Sequence, residues 1–180
     1  MAHSWGMRWA PHVDARGKAY PLHHLHPFHR PMPVLGHGEK TRELMLYVSF
    51  GLHTFTRVAV ASDADADCYS DDRETRAFDL ARYQCSSKLP EMFRTLEHRR
   101  LEFAVSQHGA LNYVTMELES GLRYAAFFNL RRFHKMGPAA IHIPVVSAYP
   151  LTPGKPHPGK GRVRLSTLLG HALRGTRPHP

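Results

Sequence analysis

Apolar and polar residues alternate in two distinct rhythms along the middle of this chain. From Leu44 to Val60 the sequence is rich in Tyr, Val, Phe and Thr, which predicts extended structure. Gly51 inside that run predicts a bend or bulge. A polar, acidic loop from Ser62 to Ser70 follows, and then a helix expected over about Asp72 to Cys85. Phe78, Ala81 and Cys85 would share one face of it, and Ser70 or Asp71 would cap it. A second helix starts at Pro90, a residue favoured in a first turn, with Leu89, Met92, Phe93 and Leu96 as its apolar stripe. The rhythm then returns to period two. Leu101, Phe103 and Val105 alternate, as do Val114, Met116 and Leu118. Glu119-Ser120-Gly121 reads as a hairpin turn, with Arg123 to Arg132 as the return strand. Ile141, Ile143, Val145, Ser147 and Tyr149 alternate in a last strand. This order predicts an α+β domain over residues 34–151, with two helices packed on one face of an antiparallel sheet.

The ends follow neither rhythm. Residues 1–33 carry Pro21, Pro27, Pro31 and Pro33, which block regular hydrogen bonding, so the segment is expected to be a flexible arm. Residues 152–161 read as a linker, and Val163 to Leu173 as a short helix closed by Gly175. Charge divides the chain in the same way. The net charge is +9, of which +3 falls on residues 1–33, +6 on residues 152–180 and none on the middle. Basic ends attract polyanions without specifying a fold, and solubilising tails would look the same.

At 180 residues, with 42% hydrophobic and 22% charged residues, the chain suits one globular domain. The apolar stretch from Leu44 to Ala61 is interrupted by Gly51, His53, Thr54, Thr56 and Arg57, so it is no membrane span. Residues 1–10 lack a secretory h-region, and Cys68 and Cys85 do not make a disulfide framework. The expected compartment is the cytoplasm.

Several constellations invite chemistry. His23, His24, His26 and His29, with His37 nearby, form a histidine-rich tract of the kind that binds zinc, copper or nickel loosely. No cysteine lies beside it to complete a tetrahedral site, and no resident cofactor or metal is expected. Asp63, Asp65, Asp67, Tyr69, Asp71 and Glu74 fall at the ligand spacing of a calcium loop. Cys68 and Ser70 replace that loop's glycine and apolar residue, and helix-capping acids explain the same pattern. The cysteines stand 17 apart, Cys85 on an apolar stripe and Cys68 among acids that would dull it as a nucleophile. No phosphate-cradling glycine loop, nucleophile elbow or zinc-protease motif is present.

The sheet remains. Cleaving RNA without a metal needs a base for the 2′-hydroxyl, an acid for the leaving oxygen, and cations around the phosphate. His53 is the candidate base; Arg131, Arg132 and His134 are placed to meet phosphate or supply the acid. Ser147 and Tyr149 share a strand face, one offering a hydroxyl and the other a ring for a base. They also continue the alternation of Ile143 and Val145, so a place in the core fits them equally. Lys155, Lys160, Arg162 and Arg164 are candidate nucleic-acid contacts.

Two resemblances add to this. The last strand, IHIPVVSAYP, resembles the closing strand of the barnase–EndoU–colicin–RelE group of ribonuclease folds, whose EndoU-type members carry Ser/Thr-x-Tyr there. That resemblance implies site roles for Ser147 and Tyr149, and an endoribonuclease related to toxins. The stretches RAFDLARYQCSSKLPEMFRTL, NYVTMEL, GLRYAAFFNLRRF and VVSAYP are similar to proteins of bacterial plasmids and integrative elements, some named stationary-phase growth adaptation or heat shock proteins. This second resemblance implies a mobile-element setting and places Arg82, Tyr83 and Ser86 beside the SAY motif. A non-catalytic protein that binds nucleic acid or a protein partner through its basic ends is the alternative reading.

Overall fold

The computed structural model describes residues 5–35, 41–106, 109–118, 120–154 and 159–176. In chain order its elements are β1 (His12–Val13), β2 (Ala19–Tyr20), β3 (Phe28–Leu35), β4 (Thr41–His53), β5 (Thr56–Arg57), β6 (Cys68–Ser70) and β7 (Thr75–Phe78). Helices α1 (Leu80–Ser86) and α2 (Leu89–Arg94) follow. Then come β8 (Leu101–Ser106), β9 (Gly109–Glu117), β10 (Arg123–Phe128), β11 (Arg131–Arg132), β12 (Ala140–Pro150), β13 (Gly159–Val163) and α3 (Leu165–Arg174). The fold is mixed α/β, and sheet predominates.

The main sheet runs β13-β8-β9-β10-β12-β4-β3, with β11 paired to β12. Its ladders are antiparallel except β4 with β12, which pair in parallel. The expected all-antiparallel sheet is therefore corrected to a mixed one. A parallel pair needs a long crossover, and residues 54–139 supply it.

Even-numbered positions of β4 make the apolar side of the sheet: Leu44, Leu46, Val48, Phe50 and Leu52 are all buried. Ile141, Ile143 and Val145 of β12 join them. Leu89, Met92, Phe93 and Leu96 are fully buried in the same cluster, as the apolar stripe predicts. So are Leu165, Leu168, Leu169 and Ala172 of α3, which Gly175 closes in the left-handed conformation (φ 69°). The helix expected from Asp72 starts later. Thr75–Phe78 pairs with β5 and β6 instead, and Asp79 caps α1 by accepting from the Arg82 backbone N–H at 2.9 Å. Two edge strands awaiting a partner outweigh local helix propensity here.

The described parts of both ends, residues 5–35 and 159–176, are built into the domain, which corrects the expectation of flexible extensions there. The indole of Trp9 is buried and its Nε1 donates to the Phe50 carbonyl at 2.9 Å. Leu22 and Leu25 are fully buried. β3 pairs with β4 at all eight positions, including Pro31 and Pro33. Prolines two apart on an edge strand turn their missing donors outward, so the ladder survives. Arg30 forks onto both carboxylate oxygens of Glu97, tying β3 to the turn after α2. At the other end, β13 (Gly159–Val163), which takes in residues 159–161 of the expected linker, pairs with β8. No helix among the described residues is long and apolar enough to cross a membrane.

Candidate functional site

A register shift decides which side chains reach the second face of the sheet. Val145 pairs with Phe50, but the next pair is Ser147 with His53. Against β10, Ser147 pairs with Phe127 and Val145 with Phe128. One extra residue in β12 reverses the alternation beyond Val145. Ala148 therefore takes the core position, while Tyr149 packs with Phe127 and Ala125 in a separate cluster. Gly51 makes the shift possible: a Cβ there would stand 3.1 Å from the Val145 carbonyl oxygen and 3.3 Å from that of Val146. Ser147 and Tyr149 thus share a face with His53 and do not finish the core.

His53 is held by a carboxylate. Its Nε2 donates to Glu74 Oε1 at 2.6 Å, and Arg76 donates to the other Glu74 oxygen at 3.3 Å. Arg76 Nε donates in turn to Thr56 Oγ1 at 3.0 Å. The bond from His53, ahead of the Arg76 contact, holds the Glu74 carboxyl below its ordinary range. With Nε2–H committed to Glu74, Nδ1 is the nitrogen left with a lone pair. The imidazole is 38% exposed, so it can meet a ligand. Arg82 donates to the His53 carbonyl at 3.0 Å and lies 5.2 Å over the Tyr149 ring, which also stacks on Phe127. Burial lowers the pKa of Arg82 and raises that of the Tyr149 phenol.

Beside this pair lies a cavity of about 330 Å³, lined by His53, Glu74, Arg73, Ser49, Arg131 and His142 among others. Arg131 donates through Nε and Nη2 to His142 Nδ1, at 3.2 and 3.1 Å. A guanidinium only donates, so the His142 proton sits on Nε2 and points to Ser49 Oγ at 2.8 Å. Burial, then the Arg131 charge, pushes His142 down to about 4. The Ser49 hydroxyl thus receives a bond from His142 and is not activated as a nucleophile.

Of the four catalytic candidates, His53 and Arg131 line this cavity. Ser147 is the cross-strand neighbour of His53, and Tyr149 lies against Arg82 at the same end of the face. Glu74, Arg76, Ser49 and His142 escaped the sequence reading. Glu74 did carry a signal, as the last position of the acidic loop.

The remaining candidates fall elsewhere. Arg132 lies on β11, its Nε buried without a partner. Arg162 and Arg164 join Arg99, Arg100 and Met32 around a concavity of about 610 Å³ between β3 and β13, and Lys160 is exposed on β13. Lys155 and His37 lie outside the described residues. The acids of the calcium-spaced loop serve as local ties. Asp63 is held at about 2, chiefly by Arg57. Asp71 Oδ1 accepts from the backbone of Arg73 and Glu74. The histidine tract is likewise dispersed: His24 bonds Ser86, His26 bonds the Trp9 carbonyl, and His29 packs on Tyr47. Among the described residues, no group of three or more His, Cys, Asp or Glu is placed to hold a metal ion. Both cysteines are free.

Fold and site together define a mixed α/β protein with one sealed apolar sheet face and one grooved polar face. The profile of the YjaZ family matches residues 12–173, and the chain belongs to that family. The match takes in both β1–β3 and β13–α3. No curated protein and no solved structure matches the chain.

Proposed function

We propose that this protein is a metal-independent, ribonuclease-like endoribonuclease of a bacterial mobile element, acting on RNA at the polar face of its sheet. The carrying observation is the His53–Glu74 pair, 2.6 Å apart at the rim of a cavity that also holds Arg131. A carboxylate that orients an imidazole and fixes which ring nitrogen carries the proton is what a general base needs. In this reading His53 Nδ1 takes the 2′-hydroxyl proton. The 2′-oxygen then attacks phosphorus, the bond to the 5′-oxygen breaks, and a 2′,3′-cyclic phosphate and a 5′-hydroxyl result. Tyr149, kept protonated by burial, supplies the leaving group's proton. Arg82 and the Ser147 hydroxyl steady the phosphate charge from the same end. The toxin-like fold and mobile-element setting rest on the SAY strand and the longer similar stretches of sequence.

The test is incubation of the purified protein with total RNA in EDTA. The wild type is expected to degrade it, and His53→Ala and Glu74→Gln to slow cleavage by roughly 10²–10⁴ while staying folded. Intact RNA after prolonged incubation overturns the reading. A second reading, non-catalytic nucleic-acid binding, is favoured by the concavity that Arg99, Arg100, Arg162 and Arg164 line. It expects no cleavage, with salt-sensitive RNA binding that weakens in the Arg162→Gln/Arg164→Gln variant.

A further inference from the structure

We propose that the cavity around Trp5, Phe133 and Lys135 is a nucleotide subsite, seating an aromatic base against Trp5 and Phe133 and its phosphate against Arg132 and Lys135. This inference deepens the ribonuclease reading by naming the unit of substrate held beside His53. The cavity measures about 540 Å³, within the usual range for small-molecule sites of roughly 300–1,000 Å³.

Its charge sets it apart from the two concavities described above. Arg131, Arg132, His134 and Lys135 line it, and among the described residues no Asp or Glu does. The His53 cavity includes Asp71, Asp72 and Glu74, and the arginine concavity includes Glu97. Arg131 spends two donors on the neutral imidazole of His142, so no carboxylate offsets its charge there. Arg132 also lines the cavity, and among the described residues its Nε has no hydrogen-bond partner. Two arginines and a lysine with no carboxylate among the described lining residues call for phosphate or carboxylate.

The walls select among anions. Trp5 packs edge-on to Tyr47 at 5.1 Å, and Phe133 stacks on His142 at 5.1 Å, so neighbouring rings hold both in place. Base stacking on aromatic rings contributes roughly 1–3 kcal/mol per base. Arg131 and His142 line both this cavity and the one at His53. A strand whose base sits at Trp5 therefore continues toward the imidazole.

The probes are adenosine 5′-monophosphate, ribose 5-phosphate and inorganic phosphate, followed by calorimetry and tryptophan fluorescence. The wild type is expected to bind the nucleotide saturably and more tightly than the two base-free anions. Trp5→Phe is expected to remove the fluorescence change while Trp9 still emits. Arg132→Gln and Lys135→Gln are each expected to weaken nucleotide binding about tenfold. Equal binding of nucleotide and phosphate, or no binding at millimolar nucleotide, overturns the subsite. Nucleotide binding that neither Arg132→Gln nor Lys135→Gln weakens overturns it too. Because the readout is binding, the subsite can stand where RNA cleavage fails, and cleavage can stand where nucleotide binding fails.

Discussion

The two faces of strand β4 are built from neighbouring residues and do opposite work. On one side Leu46, Val48, Phe50 and Leu52 are sealed beneath helices and strands of the core. On the other, Tyr47, Ser49 and His53 take part in ring contacts and hydrogen bonds with Trp5, His142 and Glu74. Both faces use the same backbone ladder, so pairing with β12 fixes the polar groups as firmly as the apolar ones. The difference lies in what each face excludes. The apolar face is almost wholly withdrawn from solvent, and its residues tolerate little change of volume. Cavities of about 330 and 540 Å³ open on the described part of the polar face, and there charge and donor direction decide what can bind.

Truncation should separate the faces most sharply. Phe50→Ala is expected to cost about 3–5 kcal/mol, because the ring is buried against Phe28 and Phe93. Ser147→Ala, on the opposite face, should stay within about 0.5 kcal/mol. Denaturant unfolding of the pair reads the contrast directly, and equal losses would break it.

Acid should attack the polar face next. His142 binds its proton at about 4 in the folded protein against 6.5 ordinarily, so the unfolded chain takes it up first. Its neutral form is no handicap above pH 6.5, and stability falls as pH drops from there toward 4, by at most ~3 kcal/mol. His142→Gln should flatten that part of the stability curve. An unchanged pH dependence in the variant would show that other groups carry it.

The smallest effect concerns the seam between the faces. Gly51→Ala places a methyl 3.1 Å from the Val145 carbonyl oxygen, a backbone atom that cannot swing aside. A loss of about 1–2 kcal/mol is expected, with the bulge and the placement of Ser147 disturbed first. Amide chemical shifts at Val146 and Ser147 that stay put would contradict this.

Much of the apolar face was legible in the sequence, since period two in Ile141, Ile143 and Val145 and the stripe from Leu89 to Leu96 report burial directly. Gly51 also announced an irregularity. What stayed hidden depended on register between distant strands. Nothing local says that β12 pairs with β4 in parallel, or that its alternation reverses before Ser147. The reversal converts a residue that looked like core into one beside His53. Glu74 looked like a helix cap or a calcium ligand, because its partner lies 21 residues back on another strand. The N-terminal prolines misled for a related reason. Proline breaks a central strand, but β3 lies at the sheet edge, and only the topology shows that.

The end groups left on RNA test the central claim most directly. A short oligoribonucleotide is incubated with protein in EDTA, and its fragments are analysed for 2′,3′-cyclic phosphate. The wild type is expected to produce such ends, and folded His53→Ala to produce almost none. Uncut RNA with the wild type, or equal cleavage by His53→Ala, would contradict the assignment of His53 as the base.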